Sequence, residues 1–282
     1  MNNDSIVLDN LTFSYPGQPG QPVLESLCAR IPLSGNTLIL GANGAGKTTL
    51  ARLLSSLDTP TGGTITWPGM KHREQGVRHE APQAGVVFEN PDFQFHTFIV
   101  REELTIGLRY CGASSAECSR ALERCSDLLG LGPLFDKPLQ ELEVPEQLAV
   151  LVAGFRILDP RLLVIDFSFS VLESAFRRAL LDSCREDCGP ALVVLSRHAV
   201  DLAHEGFDSN VFILEEGRRL APVDFRADRP EIAGFLERAR IRLPWYAHLA
   251  AALKSEGFLQ GGIFYEHEDD FKRQVKDLAP GG

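Results

Sequence analysis

The sequence predicts an α/β domain built on a mostly parallel sheet with helices on both sides. Three observations predict it. Runs that are apolar almost throughout, at 36–40, 84–88, 162–165 and 191–196, read as strands buried on both faces. Segments with apolar residues three and four apart lie between those strands. One glycine-rich turn, GANGAGKTT, joins a strand to a helix.

The elements follow in order. The alternation in SIVLDNLTFSY predicts a first strand, and PGQPGQP a turn after it. The strand at 36–40 runs into the glycine-rich turn. Leu50, Leu53, Leu54 and Leu57 then fall at i, i+3, i+4 and i+7, one helical face. TPTGG ends that helix, 64–67 reads as a strand, and the polar residues 71–80 as a loop. Helical periodicity from 100 to 129 is broken near Cys111 and Gly112. Pro145 suits the first turn of another helix, where a missing N–H is no loss. Leu148, Leu151, Val152 and Phe155 share that helix's inner face. A helix at about 173–186 follows the strand at 162–165, and NVFILEEGRRL reads as a hairpin turning near Gly217. Beyond 222 the pattern changes. Ile232, Phe235, Leu236 and Ala239 mark one amphipathic helix, and Pro244 opens a second with Leu249 and Leu253 inward. We expect a main domain over 1–222, with a helical subdomain at about 90–158, and a small helical appendage over 223–282.

Composition narrows the function classes. A chain of 282 residues, 44% hydrophobic, can bury a full core without staples. A net charge of −10 and the lack of any basic run argue against general nucleic-acid affinity. No segment reaches the roughly 20 apolar residues of a membrane span. MNNDSIVLDN has neither the basic nor the apolar region of a secretory signal, so we expect the chain to stay in the cytosol. None of the six cysteines forms a CxxC pair, and reduced, partly buried thiols are expected.

The chemistry begins at Gly41. Residues 41–48 fit GxxxxGK[ST]. Gly41, Gly44 and Gly46 let successive backbone N–H groups turn inward around phosphate oxygens, with Asn43 and Ala45 between them as further candidate binding residues. The helix after Gly46 points its positive end at the same anion. Lys47 reaches the β- and γ-phosphates, the Thr48 hydroxyl coordinates Mg²⁺, and Thr49 beside it is a further candidate nucleotide-binding residue. In such phosphate-binding proteins an aspartate at a strand end holds Mg²⁺, which assigns Asp166.

Further segments carry a family resemblance. GVVFENPDFQF, residues 85–95, resembles the Q-loop of ABC-type ATPases, closely that of the ATPase subunits of energy-coupling-factor (ECF) importers. LTFSYPG, 11–17, resembles the family's start, and SRHAVDLAHEGFDSNVFIL its switch-histidine region. The tail IAGFLERARIRLPWYAHLAAALKSEG is similar to the C-terminal appendage of the same subfamily. The resemblance covers nearly the whole chain. It implies a P-loop NTPase fold of ABC type, with an N-terminal antiparallel β part, a helical subdomain and the C-terminal appendage. It implies that Tyr15 stacks on adenine, that His198 senses the γ-phosphate, and that ATP and Mg²⁺ are the ligands. A satisfied strand-end histidine is the other reading of His198.

Four departures from the family pattern bear on activity. Glu89 stands where the family has glutamine. Leu142, Glu143, Val144, Pro145 and Glu146 stand where it has Leu-Ser-Gly-Gly-Gln. Phe167 follows Asp166 where a glutamate polarises the attacking water, and Ser170 to Glu173 read SVLE for SGLD. Losing a general base costs typically 10²–10⁴-fold, about 3–5 kcal/mol of barrier. Pro145 removes a donor, and Glu143 and Glu146 set carboxylates where a partner's phosphate should close. Glu89 adds negative charge near Mg²⁺, or serves there as a metal ligand or base.

The resemblance implies an ATP-binding subunit of an ECF-type importer of metal ions or vitamins, peripheral on the cytoplasmic face of the membrane. Its partners would be a second ABC ATPase chain, a membrane-embedded coupling protein docked through residues 88–100, and a substrate-binding membrane subunit. Low intrinsic ATPase activity and partner-dependent hydrolysis are expected. The alternative is a regulatory pseudo-ATPase using ATP-dependent dimerisation as a switch. A GTPase or small-molecule kinase also uses such a cradle, but no NKxD-type guanine motif is present.

Overall fold

The computed structural model describes residues 4–18, 20–69, 83–185, 189–198, 210–223 and 241. The expected loop at 71–80, the appendage beyond 223 apart from Ile241, and most of the switch region after His198 lie outside the described residues.

Nine strands and five α-helices are described. They run β1 (Ser5–Phe13), β2 (Leu24–Pro32), β3 (Asn36–Leu40), α1 (Lys47–Leu54), β4 (Gly62–Thr66) and β5 (Ala84–Phe88). Then come α2 (Val100–Tyr110), α3 (Ser115–Leu129), α4 (Val144–Ile157), β6 (Leu162–Asp166), α5 (Ser174–Arg185), β7 (Ala191–Ser196), β8 (Val211–Glu215) and β9 (Arg219–Pro222). A six-stranded sheet has the order β5-β6-β7-β3-β8-β9. Its first five strands are parallel and β9 returns antiparallel to β8. A separate antiparallel sheet has the order β2-β1-β4.

The uniformly apolar strands have two buried faces because the core is double. Leu163 and Ile165 of β6, Leu192 and Val194 of β7, and Leu38 and Leu40 of β3 pack with α2, α3, α4 and α5. Their neighbours Leu162, Val164, Val193, Leu195 and Ile39 pack with α1 and the antiparallel sheet. The period-2 alternation of a strand therefore feeds both layers at once. Gly85 in β5 is required by close packing: a Cβ there would lie 2.6 Å from the Phe155 ring of α4.

Local signals set the helix ends. Ser114 and Glu117 form a capping box at α3, with Ser114 N–H donating to Glu117 Oε2 at 2.7 Å. Pro145 occupies the first turn of α4. Two expectations need correction. The helix after the glycine-rich turn stops at Leu54 rather than carrying Leu57 inward. Ser56 takes a left-handed φ of 58°, and Leu57 is 53% exposed. The strand expected at 64–67 begins earlier, at Gly62.

Candidate nucleotide-binding site

The strands β3, β6 and β7 end side by side, and the functional side chains stand at those ends. Gly41 N–H donates to Ser196 O at 3.0 Å, tying the exit of β3 to the exit of β7. The chain then turns through the glycine-rich segment into α1. Gly46 at the helix start has φ 93°, and a Cβ on it would lie 2.7 Å from Leu24 Cδ2. Only glycine meets both demands. The first turn of α1 has no side-chain cap and no acidic residue, so its N–H groups are open to an anion.

A cleft of about 1040 Å³ opens above this turn. Asn43, Gly44, Gly46, Lys47, Thr48 and Thr49 line it from the turn, Asp166 from the tip of β6, Glu89 from the exit of β5 and His198 from the exit of β7. Gly41 is buried beneath the turn. Ala45 lines an adjoining depression of about 720 Å³ with Gln21, Glu216 and Arg218. Tyr15 does not line the cleft. Its ring packs edge-on against Phe13, centroids 5.0 Å apart, and its hydroxyl lies 3.0 Å from Thr49 Oγ1.

Lys47 Nζ donates to Gly41 O and Ala42 O, each at 2.8 Å, so its ammonium rests on the turn that would receive phosphate. Burial pushes the lysine's pKa down, Asp166 pulls it back up, Arg197 lowers it further and Glu89 raises it. Asp166 is pushed up to about 6, chiefly by burial. A hydrogen bond with the Thr48 side chain and the charge of Lys47 oppose that rise, and the charge of Glu89 adds to it. Thr48 and Asp166 thus offer hard oxygen donors at one point, a set that fits Mg²⁺. The lysine, the open helix start and this oxygen pair together fit a metal-bound triphosphate.

His198 N–H donates to Ser196 Oγ at 3.0 Å, and its Nε2 accepts from Arg197 Nε at 3.0 Å. Arg197 lines the same cleft and was not singled out from sequence. Its signal was weak: an arginine beside a histidine has no motif of its own. Phe167 is 4% exposed and belongs to the helical-side core, with Phe169, two residues on, fully buried. The start of α4 lies away from this cleft. Pro145 and Glu146 line another, of about 410 Å³, with Glu173 and Phe176.

The ABC transporter family pattern matches residues 24–169, just over half of the chain. The energy-coupling factor transporter ATP-binding protein EcfA1 of Halalkalibacterium halodurans is 29% identical over 271 residues, covering 93% of this chain and 94% of its own length. An ABC transporter ATP-binding protein of Methanosarcina acetivorans is 31% identical over 261 residues, 84% of this chain and 78% of the relative. The solved structure of cbiO1 from Clostridium perfringens, part of the ABC transporter complex cbiONQ, superposes with a TM-score of 0.66 at 22% identity. It covers 86% of this chain and 97% of cbiO1. The ATP-binding cassette MJ0796, a dimer in a post-hydrolysis state bound to ADP and Pi, superposes at 0.64 with 19% identity, over 77% and 98% of the two chains. Both solved structures share the α/β fold described above.

Proposed function

Because the chain belongs to the ABC transporter family, we propose that it is the ATP-binding subunit of an importer of the energy-coupling-factor type. The observation that carries this reading is the convergence of Lys47, Thr48, Asp166 and His198 on one cleft at adjoining strand ends. The glycine-rich turn and the start of α1 hold the phosphates, with Lys47 leaving Gly41 O and Ala42 O to meet them. Thr48 and Asp166 hold Mg²⁺, which when bound neutralises charge on the phosphates. His198 faces the terminal phosphate, and Tyr15 is the stacking candidate for adenine once a nucleotide draws it from Thr49.

Relatives over nearly the full length are named as ECF ATP-binding proteins, and this supports a metal ion or vitamin as cargo chosen by another subunit. Among the described residues no helix is long and apolar enough to cross a membrane. On the energy-coupling-factor reading, the chain works against membrane-embedded partners at the cytoplasmic face, beside a second ATPase chain. Phe93, Phe98 and Tyr110 are 87%, 75% and 72% exposed. A small apolar groove lined by Ile106, Tyr110, Val150 and Phe155 lies between α2 and α4. These surfaces suit an inserted helix of the coupling protein.

Turnover by the chain alone is slow and rises with a partner chain, because Phe167 occupies the place of the water-polarising acid and Glu143 and Glu146 occupy the signature position. The same two features favour a second reading, a regulatory pseudo-ATPase that dimerises on ATP. Co-purification with a membrane protein separates the two. The primary test is calorimetry with Mg·ATP: the wild-type chain binds and Lys47→Ala does not. Equal affinity in the variant defeats the nucleotide assignment.

A further inference from the structure

The acid missing from β6 has a counterpart one strand away. β5 and β6 pair in parallel with Phe88 opposite Asp166. One residue further along each chain, Glu89 leaves β5 beside the place where Phe167 leaves β6. Neighbouring strands lie about 4.8 Å apart. Glu89 and Phe167 both line the phosphate cleft, together with Lys47 and Asp166.

The exit of β5 is also held in place. Gln94 Oε1 accepts Phe88 N–H at 2.8 Å, and Gln94 Nε2 donates to Val86 O at 3.1 Å. Just beyond Glu89, Asn90 Oδ1 accepts Asp92 N–H at 3.1 Å and fixes the following turn. Glu89 therefore projects from a backbone clamped on both sides, as a catalytic carboxylate requires. Its side chain is exposed, so water reaches it.

Resting on the reading of this cleft as an ATP site, we propose that Glu89 is the displaced general base for hydrolysis at this chain's own cradle. The water oxygen bonds to the γ-phosphorus while the bond from that phosphorus to the bridging oxygen breaks, its electron pair passing to ADP. The proton leaving the water passes to the Glu89 carboxylate and from there to solvent. Glutamine at this position can orient water but cannot take its proton.

The test uses the full chain, in excess over radiolabelled ATP with Mg²⁺, measuring phosphate release over a single turnover alongside equilibrium ATP binding. Expected is slow release by the wild-type chain, a loss of at least about 100-fold in Glu89→Gln, and unchanged ATP affinity in that variant. Release by Glu89→Gln at the wild-type rate or faster overturns the proposal. So does a parallel loss of ATP affinity, which would make Glu89 a binding residue. Wild-type chain that binds ATP but releases no phosphate overturns it too, while leaving the ATP-binding assignment standing. Failure of the wild-type chain to bind ATP overturns the assignment itself.

Discussion

Glu146 Oε2 accepts the backbone N–H of Glu143 at 3.0 Å, so the start of α4 satisfies one of its donors with its own carboxylate. An uncapped helix start is electropositive and attracts anions. Here the anion is built in. Glu146→Ala removes the acceptor and should lower stability by about 1 kcal/mol, visible as a melting temperature lower by about 2–4 °C. The pair Glu143→Ser with Glu146→Gln should strengthen ATP-driven association with a partner chain, measured by sedimentation. Association unaffected by the pair would separate this helix start from phosphate closure.

Asp166 makes the metal-free protein sensitive to pH. Its folded-state value of about 6 lies above the ordinary 3.8, because burial disfavours the charged form. The stability it contributes is complete below about pH 3.8 and is lost as pH rises through about 6. Two units correspond to at most roughly 3 kcal/mol. Metal-free Asp166→Asn should therefore unfold at higher urea concentration than wild type at pH 7.5, with the gap closing near pH 4. The same variant should lose Mg²⁺-dependent nucleotide binding.

The thiols divide by burial. Cys125 is pushed up to about 12 and Cys184 to about 11 by desolvation, and Cys118 is buried too. Cys28 and Cys111 are exposed. Iodoacetamide should label Cys28 and Cys111 in the native protein and reach Cys118, Cys125 and Cys184 only on unfolding, as mass spectrometry of peptides will read. Rapid native labelling of Cys125 would contradict the packing of α3.

Phe167→Glu places a carboxylate where the native side chain is 4% exposed. Loss of a buried ring alone costs about 3–5 kcal/mol, and a carboxylate left among apolar neighbours adds to it. The variant should unfold at markedly lower urea and show no gain in phosphate release. A stable variant with faster release would mean that the glutamate turns into the cleft.

Most strands and the cradle were legible because their signals are local. A strand buried on both faces must be largely apolar, and 36–40, 84–88, 162–165 and 191–196 are. β2 escaped because its buried residues Leu24, Leu27 and Ile31 are spaced three and four apart, as on a helix. Irregularities in its pairing with β1, between Leu8 and Leu11 and between Leu11 and Phe13, produce that spacing. Leu57 continued a helical stripe on paper, but the left-handed Ser56 ends the helix first. Lys47, Thr48 and Asp166 were found by motif and strand end. Arg197 and the adjacency of Glu89 to Phe167 depend on which strands are neighbours, which no local pattern encodes.

Phe167 and Phe169 frame Ser168 with two rings sunk into the helical layer. An acid introduced at 167 would have to take the place of a ring packed in that layer. The obstacle to a carboxylate at this strand end is thus one of volume and dryness in the interior as much as of reactivity.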